Sequence, residues 1–192
     1  MKENKIYTDI SKIIIRPISK RLSRNIIIKN HYSHKWTKCK YAFGIYYKKE
    51  LSNKFIDGNG SEIIIGTAVF GDPIGRLAVN SISPLLKNGE VLELTRLWIE
   101  DGYGTNIESY CITQCFKWIK NNDKNIKFII SYSDPEQGHL GKIYQAINGL
   151  YQGNKTRIFD AYWYKFGDNS EWLHPRVVFN LYGTTDDKKL LL

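Results

Sequence analysis

The pattern of apolar and polar residues in positions 13–70 predicts a helix and two antiparallel strands. Short apolar runs at residues 13–15 and 26–28 surround the basic stretch ISKRLSRN, which has the composition of a surface helix. Residues 41–47 and 62–70 have strand patterns and are joined by the loop SNKFIDGNGS, which is rich in turn residues. The pattern therefore predicts a helix followed by an antiparallel pair of strands.

The next unit has the pattern of a strand, a loop and a helix. Residues 91–99 predict a strand, and the glycine-bearing loop DGYGTN follows. Thr105 and Glu108 have the spacing of a capping box, so the helix should begin near Asn106. Helical spacing then predicts one buried stripe, formed by Ile107, Cys111, Cys115 and Trp118.

Residues 126–151, IKFIISYSDPEQGHLGKIYQAINGLY, repeat this plan with more polar groups. Residues 126–132 are apolar enough to predict a buried central strand, and Asp134-Pro135 ends it with a turn signal. A helix should follow, with one apolar face made by Leu140, Ile143, Tyr144 and Ile147. Ligands of α/β sheets usually bind at the carboxyl ends of strands. The loop at this strand end is a candidate reactive site, with Asp134, Glu136, Gln137, His139 and Tyr144 close in sequence.

Aromatic residues alternate with others in residues 157–166 and 171–181. This pattern predicts two strands that form a closing hairpin around Gly167-Asp168-Asn169. The tail 184–192 is short and charged, and we expect it to be mobile. No repeat or linker divides the chain, so its 192 residues predict one domain, 1–192.

Composition restricts the environment in which the chain works. Three cysteines, an odd number, indicate a reducing compartment without a disulfide framework. No segment reaches the roughly 20 apolar residues that a membrane helix needs. We therefore expect a cytoplasmic protein without a membrane partner, and the sequence leaves its oligomeric state open, with a homodimer as one candidate.

Positive charge is concentrated in the first part of the chain. The net charge is +9, but residues 1–54 hold 14 Lys and Arg against three acidic residues, while residues 55–192 hold 14 against 16. Aromatic residues that could stack on bases are interleaved with the lysines of this basic, aromatic-rich portion, among them Tyr32 and Trp36. The asymmetry favours contact with nucleic acid over a solvated basic face that covers ordinary core aromatics.

Two further features are open to a functional or a structural interpretation. Gly102 and Gly104 precede a helix N-terminus, where a pyrophosphate would be favoured, although two such glycines are often only a turn. Glu93 and Arg96 lie three apart, so a regular strand would point them to opposite faces. Arg96 either forms a structural salt bridge with the acidic loop or holds substrate or phosphate.

The order of elements is that of the acyl-CoA N-acyltransferase (GNAT-like) fold, an α+β fold with a mixed, largely antiparallel central sheet flanked by helices. The motifs NHYSHKW, LELTRLWIED, GTNIES and SYSDPEQGHLGKIYQA resemble the Mom DNA-modification proteins of Mu-like bacteriophages, over about residues 30–151. The resemblance implies a transferase in the host cytoplasm that adds a carbamoylmethyl (acetamido) group to N6 of adenine in double-stranded DNA, an anti-restriction modification. Motif residues carry over to His31, Tyr32, Arg96, Ser109, Asp134 and Tyr144.

The resemblance also implies acetyl-CoA as the donor, although DGYGTN lacks the fuller glycine-rich pattern of acetyltransferases. Acyl transfer alone would leave an N6-acetyl group, so a carbamoylmethyl product requires either C–H activation, for example by iron, or a glycyl-type donor. His31, His34, Asp134 and His139 are the candidate ligands for such a metal.

The candidate site residues fall into three groups. The catalytic candidates are His31, Asp134, Tyr144, Arg96 and His139, with Asp134, His139 or His31 as the base that takes a proton from N6. The cofactor-binding candidates are Trp98, Gly102, Gly104, Asn106 and Ser109. The DNA-binding candidates are Tyr32, Trp36, Lys20, Arg21, Arg24 and Lys35.

Each group also has a purely structural interpretation. His31 has the context of an ordinary core or surface histidine, Asp134 that of a turn former, and Tyr144 that of a core residue. Two other functions remain open: an ordinary GNAT acetyltransferase acting on a protein or small amine, and a non-catalytic DNA-binding antirestriction module.

Overall fold

The computed structural model describes residues 9–49, 62–75, 77–134, 138–153, 166 and 175–184. The chain divides into two compact units, Met1–Leu150 and Tyr151–Leu192. The first unit contains the sheet and the candidate site residues. The predicted loop SNKFIDGNGS lies outside the described residues.

A five-stranded mixed sheet forms the centre of the first unit. Its strands stand in the order β1-β2-β3-β4-β5, with the first four antiparallel and β4–β5 parallel. The bounds are β1 Ile13–Pro17, β2 Tyr41–Lys48, β3 Glu62–Gly71, β4 Val91–Ile99 and β5 Phe128–Ile130. The predicted pairing of the second and third strands, the strand at 91–99 and the largely antiparallel sheet are all confirmed.

Helices flank this sheet on both faces. A short 3-10 helix, Ile10–Lys12, leads into β1, and the α-helices of the first unit are α1 Lys20–Asn30, α2 Ala78–Ile82, α3 Ile107–Asn122 and α4 Lys142–Gln145. The hydroxyl of Ser23 in α1 bonds that of Thr67 in β3, whereas α3 packs its buried residues against Ala68 and Phe70. Successive strand residues face opposite sides, so α1 and α3 cover opposite faces of β3.

The start of α3 differs from the predicted capping box. The residue before the helix is Asn106, which has a left-handed backbone with φ 66° and whose side chain makes no capping bond, while the Ser109 hydroxyl donates to the Asn106 carbonyl. Thr105 therefore precedes the cap, although the helix start near Asn106 is confirmed. In the predicted stripe, Ile107, Cys111 and Cys115 are buried and Trp118 is half-buried. Burial raises the pKa of Cys111 to about 12 and raises that of Cys115 as well.

The segment after α3 is less regular than its sequence predicts. Within residues 126–132, only Phe128–Ile130 forms a strand. It is the last of the described strands in the sheet order, and Phe128 is exposed. The prediction of a buried central strand at 126–132 is therefore wrong. The helix that follows is only four residues long: Gly138 and Gly141 adopt φ of 72° and 70° before it, and Asn148 adopts φ of 58° after it. Leu140 lies exposed between the two glycines, whereas Ile143, Tyr144 and Ile147 pack against the core as predicted.

The described part of the second unit contains a helix where a strand was predicted. Residues Pro175–Tyr182 form α5, so the second strand of the closing hairpin is wrong. Proline suits the first turn of a helix because its fixed φ is helical and its missing N–H would be unpaired there. The first hairpin strand, apart from Phe166, and residues 185–192 of the tail lie outside the described residues. Among the helices that are described, none is long and apolar enough to cross a membrane.

Candidate active site

A cavity of about 310 Å³ opens where β4 and β5 separate. The two strands pair only from Val91 to Glu93, beside Phe128 to Ile130, and then diverge. Strand β4, the segment after β5 and the segment after α1 all contribute to the wall, which is formed by Tyr32, Glu93, Leu94, Thr95, Arg96, Tyr132, Ser133 and Asp134. This is the carboxyl end of β5, as the sequence predicted for the reactive loop.

A β-bulge brings Glu93 and Arg96 into the same cavity. Val69 of β3 pairs with Arg96, but the next residue, Phe70, pairs with Leu94, so Thr95 is an extra residue in β4. An extra residue resets the alternation of side chains along a strand. The expectation that Glu93 and Arg96 point to opposite faces is therefore wrong, since both line the cavity.

Glu93 is a site residue that the sequence-based set of candidates lacks. Its side chain is only 7% exposed, and its Oε2 accepts a hydrogen bond from the backbone N–H of Ile74 over 2.9 Å. Burial raises the pKa of Glu93, while the bond from Ile74 and the charge of Arg96 act in the opposite direction. A carboxylate in the apolar run VLEL was the available signal, but the odd spacing predicted that Glu93 would lie on the face opposite Arg96.

Arg96 ties the segment after α1 to β4. Its Nε donates to the Lys35 carbonyl over 3.2 Å and its Nη1 donates to the Thr95 carbonyl over 2.6 Å. These bonds hold a positive charge at the edge of the cavity. Glu136 of the acidic loop, a possible salt-bridge partner, lies outside the described residues.

Tyr32 is the centre of a cluster that unites four predicted residues. Its ring stacks on His31 with centroids 4.3 Å apart and meets His139 edge-on at 5.7 Å. Its hydroxyl donates to Asp134 Oδ2 over 3.4 Å, and the backbone N–H of His139 donates to the Asp134 carbonyl over 3.1 Å. Burial first, and then the charge of Asp134, raises the pKa of Tyr32. The structure thus brings together residues that lie more than 100 positions apart.

His31 is held in one tautomer by its neighbour. The ring is 6% exposed, and its Nδ1 lies 3.1 Å from the backbone nitrogen of Ser33 and 2.9 Å from the Ser33 hydroxyl. A backbone N–H can only donate, so Nδ1 is the acceptor and the neutral ring carries its proton on Nε2. Burial first, and then the charge of Arg96, lowers the pKa of His31 to about 4. The imidazole is therefore neutral at physiological pH.

Two other predicted residues, Tyr144 and His34, make their contacts outside the Tyr32 cluster. Tyr144 is half-buried against the core, and burial raises the pKa of its phenol against the opposing effect of a hydrogen bond with Ser131. His34 donates from Nδ1 to the Ile28 carbonyl over 2.9 Å. In the part of the chain that the structure describes, no group of three or more His, Cys, Asp or Glu could hold a metal ion. The predicted iron ligands His31, His34, Asp134 and His139 do not form such a group.

The cofactor-binding candidates are separate from this cluster. A second cavity, of about 450 Å³, runs along α3 and is lined by Ile10, Thr105, Asn106, Ser109, Tyr110, Thr113, Gln114, Lys117, Ala146 and Ile147. Gly102 and Gly104 precede it with φ of 94° and 107°, and the space around Gly102 is open. Trp98 is half-buried in β4, paired with Thr67, and is not one of the residues that line this cavity.

The DNA-binding candidates on α1 face outward. Lys20, Arg21 and Arg24 are exposed, while Ser23 and Ile27 form the buried side of the helix. The side chain of Ser19 caps the start of the helix by accepting the N–H of Leu22, and α1 ends at Asn30 with His31 as its C-cap, beside Tyr32. Lys35 and Tyr32 are exposed and Trp36 is half-buried. The predicted basic helix therefore leads directly to the cavity.

The chain is similar to a family of phage proteins in sequence and, more distantly, to several solved structures. Methylcarbamoylase mom of Escherichia phage Mu is 25% identical over 154 residues, which are 78% of this chain and 58% of that protein. The chain thus spans less than two thirds of the length of this relative.

Among solved structures, the aminoglycoside N-acetyltransferase AAC(6')-Iy with a bisubstrate analogue has a TM-score of 0.49 at 14% identity, covering 74% of this chain and 93% of that one. An integron cassette protein from the V. cholerae mobile metagenome has a TM-score of 0.43 at 10% identity, covering 82% and 94%. These overlaps are partial and say nothing about substrate. The model of the Mom protein family, in contrast, matches residues 12–191, and the chain therefore belongs to the Mom protein family.

Proposed function

We propose that this chain adds a carbamoylmethyl group to N6 of adenine in double-stranded DNA and so protects that DNA from restriction. Membership of the Mom family and the name of its Mu relative, methylcarbamoylase, support the reaction. The structural observation that carries the proposal is a single cavity that joins Tyr32, Arg96 and Asp134 and adjoins a helix with an exposed basic face. The basic helix would bind DNA phosphates while the cavity receives one base.

A base inside a duplex must leave the stack before its amino group can react. The cavity, of about 310 Å³, is at the lower end of the range for small-molecule sites, which suits a single flat base. Tyr32 and Tyr132 both line it and both are exposed. Their rings would stack on the extruded base and offset part of the cost of unstacking.

Asp134 is the proton acceptor in this proposal. Its carboxylate lines the cavity and accepts the Tyr32 hydroxyl, which fixes its orientation. As the new bond to N6 forms, Asp134 would take the proton that N6 loses, and Arg96 would stabilise negative charge that develops beside it. His31 contributes an Nε2–H donor, because its Nδ1 is occupied by Ser33.

In this proposal the cavity along α3 receives a CoA donor. Free N–H groups in the first turn of a helix and its dipole favour a pyrophosphate, and the side chain of Asn106 does not cap them. The side-chain amide of Asn106 and the backbone N–H of Ser109 would hold the pyrophosphate, and Lys117 adds a positive charge to the same cavity. Acetyl-CoA supplies an activated two-carbon unit when bound. To make the carbamoylmethyl product from it, a nitrogen nucleophile would have to displace the CoA thiol, and a two-electron oxidant would have to remove a hydride from the methyl carbon as that carbon bonds to N6. A glycyl-type donor already has the required oxidation level at this carbon and needs no oxidant.

Nucleoside masses in DNA from expressing cells test the reaction and the substrate together. Wild type should yield a new adenine species with the mass of a carbamoylmethyl adduct, which differs from an acetyl adduct by one nitrogen and one hydrogen. Asp134→Asn should abolish it without lowering the melting temperature. Glu62→Gln is a matched control that removes a carboxylate away from the cavity. Glu62 forms an ion pair with Arg16 at one end of β3, whereas Glu93 pairs with Gly71 at the other end. Unmodified DNA from the wild type would overturn the proposal.

Two further measurements on the same cells, of acetylated protein or small amines and of resistance to restriction, separate the two other functions. Acetylated protein or small amines without a modified adenine would indicate an ordinary acetyltransferase. Protection of unmodified DNA that survives Asp134→Asn would indicate a non-catalytic DNA-binding module.

A further inference from the structure

We propose that Glu93 selects the base to be modified by accepting one N–H of its exocyclic amino group, while Asp134 takes the other proton. This inference rests on the proposed function, because it assigns a role within the same reaction. Its starting point is that two carboxylates, one on β4 and one after β5, line a single cavity.

The geometry makes Glu93 a fixed acceptor. Its Oε2 is held by the backbone N–H of Ile74, and the side chain is almost fully buried. This bond and the burial hold the carboxylate in the wall of the cavity. Burial raises the pKa of Glu93, whereas the N–H of Ile74 and the charge of Arg96 act in the opposite direction and favour the ionised form, in which both carboxylate oxygens only accept hydrogen bonds.

A rigid, buried acceptor discriminates strongly between bases. The amino group of adenine has two N–H donors, whereas hypoxanthine and guanine present a carbonyl oxygen at the same position. A carbonyl would face the Glu93 carboxylate with no hydrogen between two acceptors. Sites built around a buried polar group reject partners that leave it unpaired much more strongly than apolar pockets reject small differences in size.

The two carboxylates differ in ways that divide their roles. Asp134 is less buried and is bonded to the exposed Tyr32, so a proton taken there has a route to solvent. Glu93 is enclosed and bound to the chain. Glu93 therefore orients the amino group, and Asp134 deprotonates it.

Binding to base analogues tests this role separately from turnover. A duplex that the wild-type chain modifies in cells is synthesised with adenine, purine or hypoxanthine at the modified position, and the full chain is titrated with each. Purine lacks the amino group and hypoxanthine replaces it by a carbonyl. Wild type should bind the adenine duplex at least about tenfold more tightly than the hypoxanthine duplex, with purine between them.

Glu93→Gln should reduce this preference to less than about threefold, because an amide can donate to a carbonyl as well as accept from an amine. Asp134→Asn, the matched change of the other carboxylate, should keep most of the preference. A preference in Glu93→Gln equal to that of wild type overturns the inference. If that variant does not fold, equal wild-type affinities for all three duplexes overturn it alone.

The two proposals fail in different ways. Absence of any modified adenine in wild-type DNA removes the proposed function and this inference with it. Modified adenine together with a preference that does not depend on Glu93 removes only the inference.

Discussion

The backbone N–H of Ser33 donates to Nδ1 of His31 across 3.1 Å. This one bond changes the role that the sequence suggested for His31. A histidine base needs a lone pair directed at its substrate, but here the lone pair of Nδ1 is already used and Nε2 carries the proton. Like other neutral imidazoles in active sites, His31 is suited to donate a hydrogen bond.

We predict that His31→Gln keeps more activity than His31→Ala. The amide nitrogen of glutamine reaches the position of Nε2 and can donate, but it cannot act as a base at neutral pH. Loss of a preorganised donor costs on the order of 100-fold in rate, so His31→Ala should lower the fraction of modified adenine by about that factor.

The fraction of modified adenine per unit of soluble protein is the measurement. His31→Asn is the matched control, since its shorter amide reaches the Nδ1 position and should resemble alanine. Equal loss in the glutamine and alanine variants would contradict the donor role.

The lowered pKa of His31 also predicts a loss of stability in acid. The folded protein holds this pKa at about 4, below the ordinary value of 6.5, so between these values the unfolded chain binds a proton that the folded chain does not. Stability is therefore fully present above pH 6.5 and falls as the pH drops towards 4, by on the order of 3 kcal/mol in all.

Urea unfolding at several pH values from 7.5 to 4.5 measures this loss. In His31→Gln, which has no titrating group at this position, the decline over the same range should be smaller by most of that amount. Parallel curves for wild type and variant would show that His31 does not titrate with the lowered pKa.

The sequence predicts most of the elements that build the cavity but not the way in which they meet. The strand at 91–99 and the start of α3 are predicted correctly, because each element is long enough for its apolar residues to show a clear strand or helix spacing. The bulge at Thr95 cannot be predicted from the sequence, since a threonine is common in regular strands and does not indicate an extra residue. Because of it, Glu93 was expected on the face opposite Arg96 and was left out of the site.

Short or glycine-interrupted segments are predicted least well. Three residues of β5 pair with β4, which is too few for a periodicity to show. Around α5, alternating aromatics indicate a strand, but Pro175 begins a helix instead. The cluster around Tyr32 depends on contacts across more than 100 residues. Family resemblance suggested His31, Tyr32 and Asp134, whereas the polar loop after the strand suggested Asp134 and His139, and neither predicts that these residues meet.

The buried hydroxyls of Ser23 and Thr67 predict that Thr67→Val destabilises the fold more than Ser23→Ala does. Thr67 donates its only hydroxyl hydrogen to the Phe43 carbonyl, so Ser23 must donate to Thr67 across 2.8 Å. Thr67→Val leaves the Ser23 hydroxyl without this acceptor and Phe43 without this donor, which should cost about 1–3 kcal/mol of the free energy of unfolding. Ser23→Ala keeps the bond to Phe43 and should cost only about 0.5–1.5 kcal/mol.

Urea unfolding at neutral pH ranks the two variants. A larger loss in Ser23→Ala than in Thr67→Val would mean that the chain of donors runs in the other direction.

The exposed face of α1 predicts the salt dependence of DNA binding. Lys20, Arg21 and Arg24 each neutralise one phosphate if this helix lies on DNA, and each phosphate contact adds about 0.9 to the slope of log affinity against log salt. Replacing all three by glutamine should lower that slope by up to ~2.7 and weaken binding to all DNA sequences alike.

The double variant Lys120→Gln, Lys124→Gln is the control for net charge. Both lysines are exposed near the end of α3, on the face of the sheet opposite α1. Electrophoretic or fluorescence titrations from 50 to 200 mM salt, a range of about fourfold, give both slopes. An equal change per charge in the two variants would show that only the total charge matters, whereas a change confined to the α1 variant fixes this helix as the surface that lies on the phosphates.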